Sequence, residues 1–162
     1  MREVSSAPVA QTYRRLARTL LLFSVPSIIV GVLLAALGEE FWFGFGLQAA
    51  LWGAIDVVLV AAGRRKTLRR AEREGVGPAL RRLRRTLRLN GFMDVGYIVA
   101  GLLLCGLWGV RSRVVLGHGV GVVVQGGFLL VFDFYFSAVV SRRLSSVGET
   151  DRGGLGNEGS RT

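Results

Sequence analysis

The stretch Gly44–Gly63, GFGLQAALWGAIDVVLVAAG, runs for twenty residues with a single charge, Asp56. At ~1.5 Å of rise per residue, such a run coiled as a helix covers a hydrocarbon core of roughly 30 Å. A strand reading fails on length, because strands rarely exceed about ten residues. Three further windows share this character: Thr19–Gly38 (TLLLFSVPSIIVGVLLAALG), Gly91–Val110 (GFMDVGYIVAGLLLCGLWGV) and Val114–Val140 (VVLGHGVGVVVQGGFLLVFDFYFSAVV). The last is long enough to tilt or to extend past the interface. The expected fold class is all-α, a transmembrane four-helix bundle.

Composition agrees with this. The 162 residues are 51% hydrophobic, yet the net charge is +10. The two properties are segregated along the chain. Residues 64–90 hold eleven of the 21 basic residues against two acids, Glu72 and Glu74. Segregation of this kind excludes a disordered chain, a disulfide scaffold and a soluble enzyme. The single Cys105 can form neither an internal disulfide nor a thiolate metal site.

Charge also sets direction. Arg14, Arg15 and Arg18 precede the first span, the 64–90 loop is basic, and Arg142 and Arg143 follow the last span. The first outer loop carries Glu39 and Glu40. The positive-inside rule therefore predicts an inner-membrane protein with both termini cytoplasmic. Trp42, its neighbouring phenylalanines and Trp108 would form the outer aromatic belt. The basic flank and Ala36-Leu37-Gly38 would also suit a cleaved signal peptide. That run is too long for a signal core, however, and it matches the third span.

Shifting the chain by 70 lays Arg14, Arg15, Arg18 and Gly31 on Arg84, Arg85, Arg88 and Gly101. A shift of 77 lays Gly44, Gln48, Asp56 and Arg65 on Gly121, Gln125, Asp133 and Arg142. Both point to two tandem parallel repeats of a two-helix hairpin, related by an axis along the membrane normal. Small residues spaced four apart (Ala49/Gly53, Gly96/Ala100, Gly101/Cys105/Gly109, Gly117/Gly121) suit close helix packing, either within the chain or in a homodimer.

Asp56, Asp94 and Asp133 lie inside the apolar spans, where a charge costs a few kcal/mol and must turn to the bundle interior. Asp56 and Asp133 each stand seven residues before a cytoplasmic span end, roughly 10 Å deep. Asp94 is shallower on the same side. Asn90 stands one helical turn before Asp94, and Ser24 holds the repeat position of Asp94. Pro26 and Gly96 interrupt corresponding helices, and Pro26 leaves the Leu22 carbonyl without its helical donor. Together Ser24, Asn90, Asp56, Asp94 and Asp133, with Gln48 and Gln125 as further polar groups, would make an oxygen-rich pocket. It suits protons or hard cations, and no particular metal is implied. The alternative is structural: Asp56 with Arg64 or Arg65, Asp133 with Arg142 and Asp94 with Arg88 as interfacial ion pairs, and the glutamines as interhelical hydrogen bonds.

Other chemistry is thin. His118 alone defines no metal or haem site, and Trp52 reads as packing. The sequence holds no nucleophile–base set and no phosphate-binding glycine motif, so no enzymatic activity and no cofactor are expected. In the basic loop, residues 79–89 place Leu80, Leu83 and Leu87 on one face. That predicts an amphipathic cytoplasmic helix lying on the membrane, with Arg81, Arg82, Arg84, Arg85 and Arg88 on anionic lipid head groups. Positive-inside topology explains this charge, so no nucleic acid is expected as partner. The Gly- and Ser-rich tail, 144–162, is expected to be disordered, leaving 1–143 as the membrane domain.

The stretches Leu51–Asp56 (LWGAID), Leu89–Tyr97 (LNGFMDVGY) and Gln125–Asp133 (QGGFLLVFD) resemble an uncharacterised family of small bacterial four-span membrane proteins. The resemblance covers residues 13–143. It implies an integral membrane protein and no particular activity. Two functions remain as expectations: cation or proton handling through the acidic cluster, and a non-catalytic membrane scaffold or partner-binding subunit.

Overall fold

The computed structural model describes the backbone of residues 7–158 and the side chains of residues 7–146. Within them the chain forms α1 (Ala7–Leu37), α2 (Glu40–Glu74), α3 (Val76–Leu103) and α4 (Arg113–Glu158). A π-helical turn, Leu104–Gly109, continues α3. No strand occurs among the described residues. Each of the four helices is long and apolar enough to cross a membrane. Their apolar side chains point outward: Leu22, Val58 and Val131 are about two-thirds exposed (67%, 65% and 69%). A water-soluble bundle would bury such residues, whereas lipid solvates them.

The helices pair as hairpins, α1 with α2 and α3 with α4, and α2 against α4 joins the two. Glycines set these contacts. A Cβ on Gly31 would meet Ala50 N and Gly46 O at 2.6 Å, and one on Gly101 would meet Gly119 O at 2.8 Å. Gly53 closes on Ser24 O in the same manner, and Gly126 faces the Ile98 side chain at 3.0 Å with Asp94 O at 3.4 Å. Across the α2–α4 seam, Gly44 abuts the Val114 carbonyl and Gly117 the Phe41 carbonyl. The backbones therefore touch with no side chain between them, as small residues allow in lipid.

The glycine contacts follow an offset of their own. Gly44, Gly46 and Gly53 play the parts in α2 that Gly117, Gly119 and Gly126 play in α4. The offset is 73, one helical turn less than the 77 that aligns Gln48 with Gln125. Asp133 consequently sits level with Val60, and Asp56 with Leu129. Small residues in contact fix the register of touching helices more tightly than a matched polar pair does.

The basic stretch 64–90 also differs from expectation. It is two helical extensions joined at Gly75, whose φ of 90° lies in the left-handed region that favours glycine. The Gly75 N–H caps Ala71 O at 3.1 Å. The leucine face expected to lie in lipid is instead part of a protein core. Leu80 and Leu87 are buried with Val9, Leu16, Ala71, Phe136 and Val140, and Leu83 packs against them. Burial against the ends of α1, α2 and α4 removes more apolar surface than half-immersion at an interface. Arg81, Arg82, Arg85 and Arg88 remain exposed and Arg84 half-buried. The expected tail, 144–162, begins as a continuation of α4. The side chains from 147 onward, and residues 159–162 altogether, lie outside the described residues.

Candidate functional site

The site is assembled from the buried stripe of each helix. In α3 that stripe recurs every seven residues, at Leu80, Leu87, Asp94 and Gly101. This is the spacing of a helix turned steadily toward one neighbour. Asp94 therefore enters the bundle at a position its helix must bury. Ser24 does so on α1, Asp56 on α2, and Gln125 and Asp133 on α4. All five are nearly or fully inaccessible, between 0% and 5% exposed.

Ser24 Oγ donates to Leu20 O at 2.8 Å and to Asp56 Oδ2 at 3.1 Å, sharing one proton between its own helix and α2. Gln125 lies beside Asp56, although its Nε2 makes no hydrogen bond. Asp94 is close enough to Asp56 for their charges to interact, and Asp133 interacts with both. Asp94 Oδ2 is buried without a partner. Phe23 and Phe128 stack at 3.5 Å between centroids, joining α1 to α4 next to Ser24.

The expected ion pairs do not form. Among the described residues the one ion pair is Arg70–Glu74 at 3.0 Å, on the exposed face of α2. Among the described residues no arginine forms an ion pair with Asp56, Asp94 or Asp133. Arg64, Arg65, Arg88 and Arg142 are exposed beyond the apolar stretches of their helices, where water would solvate them at lower cost than snorkelling to a buried acid.

Two expected members lie elsewhere. Asn90 is exposed: the buried stripe passes through Leu87, Gly91 and Asp94, and Asn90 lies ~100° around the helix from Gly91. Gln48 stands on the side of the cluster toward the α1–α2 turn, its Oε1 3.4 Å from His118 Nδ1. Trp52 packs edge-to-face on Tyr97 at 5.0 Å. Cys105 Sγ approaches Leu116 O at 3.9 Å and touches none of the acids.

Sequence reasoning overlooked Ser137, which is 6% exposed one turn beyond Asp133. It also left out Tyr13, whose hydroxyl donates to Val60 O at 2.9 Å. The i, i+4 spacing from Asp133 was the available signal for Ser137. Tyr13 carried none.

The arrangement gathers carboxylates, a hydroxyl and an amide, and among the described residues no basic side chain forms an ion pair with it. No group of three or more His, Cys, Asp or Glu among the described residues is placed to hold one metal ion. Groups so disposed can accept, hold and pass protons. No curated protein and no solved structure matches this chain significantly. The chain belongs to the family of unknown function DUF6992, whose model matches residues 19–134 and so takes in all three aspartates.

Proposed function

We propose that this member of DUF6992 is a multi-pass inner-membrane protein of bacterial type whose acidic cluster binds and exchanges protons. The observation that carries the reading is the burial of Asp56, Asp94 and Asp133 against one another with no basic partner among the described residues. Three uncompensated carboxylates in a low-dielectric interior repel each other, so protons or a cation must balance them.

A polar file supports movement as well as storage. Descending the α2–α4 seam come His118 with Gln48, then Gln125, then Asp56 with Ser24 and Asp94, then Asp133 and Ser137. From His118 to Ser137 is about 28 Å at ~1.5 Å per residue, close to the thickness of the hydrocarbon core. Such a file resembles the acid chains of proton relays. The recurring glycine contacts support tandem hairpins related by duplication, with the acids at the junction of the two copies. Both termini and the α2–α3 turn are cytoplasmic in this reading, by the charge of the helix ends.

The scaffold reading has one observation of its own, the Ser24–Asp56 bond that ties α1 to α2. Flux separates the two. In proteoliposomes with an imposed pH difference, wild type should dissipate the gradient, and Asp94→Asn or Asp133→Asn should not. A folded wild type with no flux favours the scaffold.

A further inference from the structure

A groove of about 860 Å³ runs along the outer surface between α1 and α2, away from the acidic cluster. Its deep walls are apolar: Leu21, Val25 and Pro26 from α1, with Val57 and Ala61 from α2. Arg14, Arg18 and Arg64 line its other end. Arg14 and Arg18 are one turn apart on α1, and all three arginines are exposed and form no ion pair among the described residues. From Arg18 to Pro26 is roughly 12 Å of helix. The groove thus has an apolar trough the length of part of an acyl chain and a cationic mouth at the depth of a head group. We infer that it seats one anionic phospholipid, its phosphate between Arg14, Arg18 and Arg64 and one chain against Pro26.

Charge selects this occupant. A zwitterionic lipid brings its own cation to the mouth, whereas an anionic phosphate leaves the guanidinium groups paired. A second copy of the chain would need an acidic stripe opposite the arginines, and the exposed face of α1 carries none between Ala7 and Leu37. The inference rests on the helices crossing a bilayer and is independent of proton exchange at the aspartates. The five arginines of residues 81–88 are separate from this site, since none lines the groove.

The test is native mass spectrometry of the full chain released from nanodiscs of phosphatidylcholine mixed with phosphatidylglycerol. Wild type should retain one phosphatidylglycerol in preference to phosphatidylcholine. Combined Arg14→Gln, Arg18→Gln and Arg64→Gln should lower that retention at least about tenfold, each arginine near the surface being worth about fivefold. Ala61→Trp fills the trough without changing charge and should lower it comparably. The triple variant Arg81→Gln, Arg82→Gln, Arg85→Gln should retain the lipid as wild type does. Equal loss in both arginine variants, retention unaffected by Ala61→Trp, or a second protein chain in place of the lipid would each overturn the assignment.

Discussion

Ser24 and Asp56, 32 residues apart in the chain, are joined by a hydrogen bond of 3.1 Å where α1 crosses α2 in the bundle interior. The bond exists because Gly53, three residues before Asp56, lets the α1 backbone approach to contact at Ser24 O. One glycine thus positions one acid. Ser24→Ala should cost about 1 kcal/mol of stability, the usual worth of such a bond between helices. A double-mutant cycle of Ser24→Ala with Asp56→Asn, read by unfolding in mixed micelles, should show coupling. Strict additivity would mean that the bond contributes nothing.

The close crossing of α1 and α2 predicts a contrast between two glycines. Gly31→Ala drives its Cβ into the backbone of α2, which cannot yield, and should destabilise by about 1–3 kcal/mol. Gly96→Ala meets nothing within 4 Å and should be neutral or stabilise by up to about 1 kcal/mol through helix propensity. Equal effects at the two positions would contradict the crossing.

The leucine face of α3 gives a third test. If Leu80 is core, Leu80→Ala leaves a cavity and should cost about 2–5 kcal/mol. Vesicle composition should leave that loss unchanged. A variant of normal stability with weaker binding to anionic vesicles would return the segment to the membrane surface.

What could be read from sequence follows from how many solutions each signal permits. A twenty-residue apolar run such as 44–63 has one, a spanning helix. A lone Asp within it has one orientation, inward, and Asp56, Asp94 and Asp133 all take it. Gln48 was harder to place. A shift of one helical turn keeps a residue on nearly the same face while changing its depth by ~6 Å, so the 77-residue alignment put Gln48 and Gln125 at equivalent depths. The touching glycines follow an offset of 73, and Gln48 meets His118. Likewise Leu80, Leu83 and Leu87 carry an amphipathic pattern that fits a lipid surface or a protein core equally well. Only the partner helices distinguish the two.

Topology is open to direct measurement. Reporter fusions after Gly75 should read cytoplasmic and one after Gly38 should read external, because the arginine-rich extensions on either side of Gly75 resist translocation. An external Gly75 would place the acidic cluster in the outer half of the membrane.

The central claim, that buried aspartates exchange protons, is tested most directly by infrared difference spectroscopy of the reconstituted protein during pH titration. Wild type should show a carboxylic-acid carbonyl band that changes with pH. Asp56→Asn, Asp94→Asn and Asp133→Asn should each remove part of it, and the triple variant should leave only the contribution of the remaining carboxyl groups, with the helical amide bands intact. A band that ignores pH, or one that the triple substitution leaves as strong as in wild type, would contradict the account.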